Sequence, residues 1–224
     1  MADPRFPQDV LERVGRWRGR THPFERLEPK RTALLVVDMQ NFFLSPESNV
    51  SKARQIVPNI NRLADALRAA GGHVVWVIST YGPDPKDRWS VLFDHVFSPE
   101  HGAAFRAGLT RGADSHGIWP ELRRQAGEAV IEKNRFGGFS GSGGRLEREL
   151  RTKGVDSVLI TGTVTNVCCE TTAREASMLD FKTVMITDGN AGRTEEADWR
   201  TFGLFLQIFG DALSTDQAIG ALRG

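Results

Sequence analysis

Short apolar runs that alternate with longer amphipathic segments are the feature that most constrains the fold of this chain. The runs TALLVVD at 32–38 and HVVWVIS at 73–79 are apolar throughout, as expected of strands buried on both faces of a parallel sheet. Similar runs follow at 129–133, 157–162, 183–188 and 212–214. Segments with helical spacing or composition occupy 9–17, 56–70, 145–153, 172–179, 195–209 and 216–222. The sequence therefore predicts a three-layer α/β fold, with a mostly parallel sheet of about six strands and helices on both faces.

Neither an internal repeat nor a low-complexity linker interrupts this alternation, which predicts a single domain over residues 32–224. Residues 1–31 have weaker periodicity, and we expect them to form an N-terminal arm that packs over the domain or over a neighbouring subunit. The segment 80–127 is long and is interrupted by proline and glycine. Such a connection usually contains short helices of its own or covers a binding site.

The charge balance and the distribution of apolar residues exclude several classes of function. The chain has 29 basic and 28 acidic residues, and a net charge of +1 creates no large field to attract nucleic acid or an anionic membrane. No apolar stretch is long enough to cross a bilayer, and the polar start of the chain does not resemble a secretory signal. We therefore expect a cytoplasmic protein without a nucleic-acid or membrane partner.

Both cysteines of the chain are adjacent, in the segment TGTVTNVCCETTAR at 161–174. Adjacent cysteines rarely bridge to each other, because disulfide geometry strains so short a loop. Two ligands are also too few to complete a structural zinc site. Cys168 and Cys169 are therefore either buried filler or contain one reactive thiol.

Three chemically useful side chains lie at or just beyond the ends of predicted strands, where ligands bind in an open parallel sheet. They are Asp38, Lys133 and Cys168. Each alone has an ordinary explanation, since an aspartate often caps a turn, a lysine is usually solvated and a cysteine behaves as a small hydrophobe. Together they are typical of acyl transfer: a thiol near a helix N-terminus attacks, an ammonium adds positive charge, and a carboxylate transfers the proton.

Three segments closely resemble those of the isochorismatase-like cysteine hydrolases, a family that includes nicotinamidases, N-carbamoylsarcosine amidohydrolases and ureidoacrylate amidohydrolases. They are TALLVVDMQNFF, VIEKNRFGGFSGSGG and VLITGTVTNVCCETTAREASMLDF, and the similarity extends over residues 31–215. The resemblance implies a Rossmann-like topology and a catalytic triad formed by Asp38, Lys133 and Cys168, which leaves the second cysteine as a packing residue.

The same resemblance implies a particular backbone around the nucleophile. The peptide bond between Thr163 and Val164 is expected to be cis, and the backbone amides of Val164 and Cys168 are expected to form the oxyanion hole. The implied reaction is hydrolysis of the C–N bond of a small linear amide, carbamoyl or ureido substrate through a thioester. The segment TNVCCETTARE is most similar to the ureidoacrylate type. The resemblance implies no cofactor. It also implies that the protein assembles as a homodimer or a homotetramer.

Two alternatives remain open at this point. The first is an isochorismatase-type vinyl-ether hydrolase, in which the aspartate protonates a carbon atom and no thiol is needed. The second is a non-catalytic binding module on the same fold. An intact set of aspartate, lysine and cysteine favours the amidohydrolase over both.

The sequence departs from the family pattern in two places that concern the substrate. An acidic residue usually follows the asparagine of the first segment, whereas Asn41 is followed here by two phenylalanines. Nicotinamidases also bind a metal through an aspartate and histidines after the second strand, but STYGPDPKDRW contains no histidine, and we expect no metal site. The candidate pocket residues are Phe42, Phe43, Tyr81, Trp89, Phe136, Phe139, Thr165 and Asn166, of which the last two are expected mainly to shape the turn.

Overall fold

The computed structural model describes residues 5–46, 48, 50–82, 84 and 88–223, and a six-stranded parallel sheet lies at its centre. The strands are β1 (Thr32–Val37), β2 (His73–Ser79), β3 (Ala129–Lys133), β4 (Ser157–Thr163), β5 (Lys182–Ala191) and β6 (Asp211–Leu213). Their order across the sheet is β3-β2-β1-β4-β5-β6, and every neighbouring pair is parallel. The predicted fold class is confirmed.

Helices cover both faces of this sheet. The α-helices in the described residues are α1 (Gln8–Arg18), α2 (Asn41–Leu44), α3 (Val57–Ala69), α4 (Pro99–Gly108), α5 (Gly138–Gly141), α6 (Arg145–Thr152), α7 (Glu170–Met178), α8 (Glu195–Ile208) and α9 (Thr215–Ala221). Short 3-10 helices occupy Pro29–Arg31, Ser51–Ile56 and Asp114–His116, and π-helical turns occupy Leu92–Val96 and Thr165–Cys169. None of the helices that the structure describes is long and apolar enough to pass through a lipid bilayer.

Alternate residues of the central strands point into two separate apolar cores. One core contains Leu34 and Trp76 of the sheet and is closed by α3 and α9. The other contains Leu35 and Val77 and is closed by α1, α6, α7 and α8. Because the central strands are covered on both sides, their sequences are apolar throughout rather than alternating with polar residues.

The ends of several elements differ from the sequence prediction. Strand β5 continues to Ala191, three residues beyond the predicted end, because its pairing with β4 changes register after Ile160. The side-chain amide of Asn190 donates hydrogen bonds to the carbonyls of Ile160 and Ile186 there, at 2.8 and 2.7 Å. The long segment 80–127 contains a helix of its own, α4, whose N-cap Ser98 accepts a hydrogen bond from the amide of His101.

The described part of the N-terminal segment packs along α8. Phe6 makes an edge contact with Trp199 at 5.1 Å between ring centroids, and Val14 is completely buried. Beyond α1, a ring nitrogen of His22 lies 2.8 Å from the buried carboxylate of Asp211, at the start of β6. These contacts tie the segment to the sheet, and its separation from a domain at 32–224 stays a prediction.

Candidate active site

A buried ion pair joins the carboxyl ends of two strands that are not adjacent in the sheet. The Nζ atom of Lys133, the last residue of β3, donates a hydrogen bond of 2.8 Å to Oδ2 of Asp38, which follows β1. Ser79 at the end of β2 lies between them and accepts a second bond from the same Nζ atom at 2.8 Å. Both charged side chains are 0% exposed.

The charge on Lys133 is maintained by its surroundings. Burial lowers the pKa of its ammonium group, but the neighbouring Asp38 carboxylate, together with Cys168 and Tyr81, raises the pKa by more. A third acceptor, the carbonyl of Arg135 at 3.2 Å, completes the hydrogen bonds of Nζ. Lys133 is therefore a fixed ammonium whose three donors are all directed to defined acceptors.

Asp38 has an unusual backbone conformation that turns the chain at the end of β1. Its φ angle is +52°, in the left-handed region that aspartate adopts more readily than most residues, and its amide donates to the carbonyl of Val77 at 2.8 Å. One carboxylate oxygen, Oδ2, is held by Lys133, whereas Oδ1 is buried and has no hydrogen-bond partner among the described residues. A free lone pair on Oδ1 is thus available to accept a proton.

Cys168 follows β4 in a short helical turn. The peptide bond between Thr163 and Val164 is cis, and the π-helical turn Thr165–Cys169 leads directly into α7. The nucleophile candidate therefore lies near the start of a helical segment, where the sequence predicted it. Its side chain is 4% exposed.

The surroundings of Cys168 act on the pKa of its thiol in opposite directions. Burial raises the pKa of the thiol, the ammonium of Lys133 opposes this, and the carboxylate of Asp38 raises the pKa further, so that the net effect is a higher pKa. Both charged side chains of the ion pair therefore act on the Cys168 thiol. The resting cysteine is therefore a neutral thiol, because the nearby carboxylate and the loss of water outweigh the cation.

Cys169 has the surroundings of a packing residue. It is fully buried in the core with α7 and α8, and burial raises the pKa of its thiol well above the ordinary value. Its amide donates to the carbonyl of Val164 at 3.3 Å, which helps to close the turn.

A glycine allows β1 and β4 to approach closely beneath these residues. Gly162 has a φ angle of +122°, and a Cβ atom placed on it would lie 2.0 Å from the carbonyl oxygen of Val37. These two residues are register partners in adjacent strands. A side chain at this position would separate the strand ends that carry Asp38 and Cys168.

The predicted pocket residues are distributed over three places. Phe42, Phe43 and Tyr81 belong to one aromatic group in which each contacts Phe105, at centroid distances of 5.4, 6.4 and 5.4 Å. Trp89 and Phe136 form a separate edge contact at 4.7 Å. Phe139 instead packs against Phe181 at 5.7 Å in the core with α6 and α7.

The two polar pocket candidates differ from each other. Thr165 is completely buried within the π-helical turn, whereas Asn166 is exposed. Nearby, Arg174 forms an ion pair with Glu170 one helical turn earlier. In the described ranges there is no group of three or more His, Cys, Asp or Glu side chains arranged to hold a metal ion.

Sequence reasoning missed two residues that build the site. Ser79 binds Lys133, and Gln40 fixes Ser79 by accepting from its amide at 2.8 Å and donating to its carbonyl at 3.1 Å. The same Gln40 amide group donates to the carbonyl of His116, which ties the long segment to the strand ends. Ser79 ends a strand as Asp38 and Lys133 do, so its position was a usable signal, whereas nothing local marks Gln40.

Comparison with known proteins identifies the family of this chain. The isochorismatase domain model matches residues 32–217. Ureidoacrylate amidohydrolase RutB of Caulobacter segnis is 28% identical over 179 residues, which are 72% of this chain and 73% of that protein.

Solved structures are similar over most of their length. A cysteine hydrolase from Pseudomonas syringae pv. phaseolicola has a TM-score of 0.79 and 27% identity, with coverage of 91% of this chain and 99% of that one. For N-carbamoylsarcosine amidase from Thermoplasma acidophilum the TM-score is 0.68 and the identity 26%, with coverage of 83% and 97%. The chain belongs to the isochorismatase family and is a hydrolase of that family.

Proposed function

We propose that the protein is a cysteine amidohydrolase that cleaves the C–N bond of a small linear amide, carbamoyl or ureido substrate. The observation that carries the proposal is the fully buried pair of Asp38 and Lys133 beside the thiol of Cys168. An ion pair without solvent contact is costly to build, and a reactive site is where such a cost is most often found. The names of two relatives, a ureidoacrylate amidohydrolase and an N-carbamoylsarcosine amidase, support the substrate class.

The reaction begins with a neutral thiol. As Cys168 Sγ attacks the carbonyl carbon, its proton passes to Oδ1 of Asp38, the carboxylate oxygen that Lys133 does not hold. The tetrahedral oxyanion is expected to be bound by the amides of Val164 and Cys168. Asp38 then gives the proton to the departing nitrogen as the C–N bond breaks, which leaves a free amine or ammonia and an acylated Cys168, a thioester from an amide or a thiocarbamate from a carbamoyl or ureido substrate.

Water completes the cycle by attacking the thioester carbonyl. Asp38 accepts a proton from that water, the C–S bond breaks, and the carboxylic or carbamic acid product leaves as Cys168 recovers its proton from Asp38. Lys133 stays positively charged throughout and holds the carboxylate in one orientation. The proposal requires no metal or organic cofactor.

Release of ammonia from N-carbamoylsarcosine, ureidoacrylate, nicotinamide and simple aliphatic amides tests the assignment. We expect turnover with at least one carbamoyl or ureido compound, and Cys168→Ala should abolish it while the fold is retained. The matched control is Cys169→Ala, which removes the adjacent packing thiol and should keep most of the activity. Full activity of Cys168→Ala would refute the mechanism, and cleavage of a vinyl-ether substrate that survives iodoacetamide would favour vinyl-ether hydrolysis instead.

A further inference from the structure

The side chain of Tyr81 buries a polar hydroxyl group. Tyr81 is the single tyrosine of the chain, and its side chain is 1% exposed. The hydroxyl has no hydrogen-bond partner within the part of the chain that the structure describes. A phenol hydroxyl that is removed from water without a hydrogen-bond partner destabilises the fold. A purely structural role therefore does not explain a tyrosine at this position.

Packing does not require the hydroxyl either. The ring of Tyr81 contacts Phe93 and Phe105, both at 5.4 Å between centroids. Its backbone is fixed by hydrogen bonds to Leu109 and Thr110. A phenylalanine at position 81 would make the same ring and backbone contacts without burying a polar atom.

The position of Tyr81 brings it to the catalytic group. It lies two residues beyond Ser79, which binds Lys133 Nζ, and the intervening Thr80 donates its amide to the carbonyl of Lys133 at 2.8 Å. Burial raises the pKa of Tyr81, the charge of Lys133 lowers it, and those of Cys168 and Asp38 raise it further. At neutral pH the group is a protonated donor.

We propose that Tyr81 is a substrate-binding residue whose hydroxyl donates a hydrogen bond to a carbonyl oxygen of the substrate at Cys168. This inference rests on the proposed function, because it assumes that the substrate is an amide, carbamoyl or ureido compound. The bound carbonyl supplies an acceptor that the hydroxyl does not find among the described residues of the free protein. The energetic cost of the unpaired hydroxyl is thereby removed only when substrate is present.

Alkylation of Cys168 tests the inference without knowledge of the natural substrate. In a Cys169→Ala background, mass spectrometry measures the labelling rates with iodoacetamide, which has a carbonyl oxygen, and with allyl iodide, which is similar in size and has none. Tyr81→Phe should reduce the ratio of the two rates about fivefold, the factor that corresponds to one net hydrogen bond of about 1 kcal/mol. Phe93→Leu alters the packing of the same aromatic group and should leave the ratio unchanged.

The other possible outcomes of this experiment also decide between the proposals. An unchanged ratio in Tyr81→Phe overturns the inference and leaves the proposed function standing, because Cys168 still reacts. Failure of both reagents to label Cys168 in the parent protein overturns the proposed function and this inference together. As a second readout, Tyr81→Phe should unfold at an equal or higher temperature than the parent protein, and a clear loss of stability would indicate a structural role for the hydroxyl.

Discussion

At the scale of single residues, the site depends on two opposite charges that stabilise each other away from water. Asp38 and Lys133 are each 0% exposed, and the short contact between them is supported by Ser79. Taking either charge out of water alone is strongly unfavourable, so neither side chain is tolerated here without the other. Burial, together with the Asp38 carboxylate, raises the pKa of the Cys168 thiol despite the opposing charge of Lys133, which keeps the thiol protonated before substrate binds.

Loss of one member of this pair should therefore be costly. We expect Lys133→Met to lower the free energy of unfolding by about 3–5 kcal/mol, because the carboxylate of Asp38 remains buried without a counter-ion. The control is Arg200→Met, which removes an exposed ion pair with Glu196 and should cost less than about 1 kcal/mol. Urea denaturation followed by circular dichroism measures both values. Equally small losses of unfolding free energy in the two variants would contradict a buried ion pair at Asp38 and Lys133.

At the scale of elements, the site is set by how closely β1 and β4 approach. The backbone of Gly162 faces the carbonyl of Val37 with no room for a side chain, so the ends of the two strands converge. Asp38 continues one strand and the helical turn with Cys168 continues the other. The glycine at position 162 thus determines whether Asp38 and Cys168, which are distant in sequence, can come close together.

Substitution of Gly162 by alanine should be among the most damaging single changes in the sheet. Its Cβ atom collides with backbone and its φ angle of +122° is unfavourable for any side chain, so we expect a loss of about 3 kcal/mol or more in unfolding free energy. Gly220→Ala provides the control, since it lies in α9 with no atom within 4 Å of the added carbon. That variant should be stabilised by about 0.5–1 kcal/mol. Similar effects of the two substitutions in thermal unfolding would contradict the close approach.

At the scale of the whole molecule, the described N-terminal segment and α8 form one packed layer. The stretch FGLFLQIFG at 202–210 was equally compatible with burial in the core and with an interface. Phe202, Phe205 and Leu206 point into the core, whereas Leu204 and Ile208 are exposed. The homodimer or homotetramer implied by the family resemblance stays a prediction.

The contribution of α1 to this layer leads to a stability prediction outside the site. Val14 is completely buried against the core, so Val14→Ala should cost about 2 kcal/mol of unfolding free energy through lost burial and the cavity that remains. Trp17 lies on the same helix but is 60% exposed, and Trp17→Ala should change stability by less than about 0.5 kcal/mol. Guanidinium titration of both variants checks the difference. A larger loss for Trp17→Ala would mean that the outer face of α1 is covered in solution.

The sequence by itself determined the fold class and the three residues at the strand ends. Buried parallel strands must be apolar throughout, and a charged or nucleophilic residue that follows such a strand is conspicuous for that reason. The apolar strands and the polar residues that follow them can both be recognised without knowing which distant residues are in contact. The parallel sheet, the positions of the main helices and the expected grouping of Asp38, Lys133 and Cys168 were therefore within reach of reasoning from local pattern and family resemblance.

Only the tertiary structure decided how these residues are held and charged. The roles of Ser79 and Gln40, the unpaired hydroxyl of Tyr81 and the protonated state of Cys168 depend on neighbours from other strands. Phe139 likewise joined the core because Phe181, remote in sequence, lies against it. Burial and electrostatic interaction are properties of contacts between distant segments, and a linear pattern of residue types does not contain them.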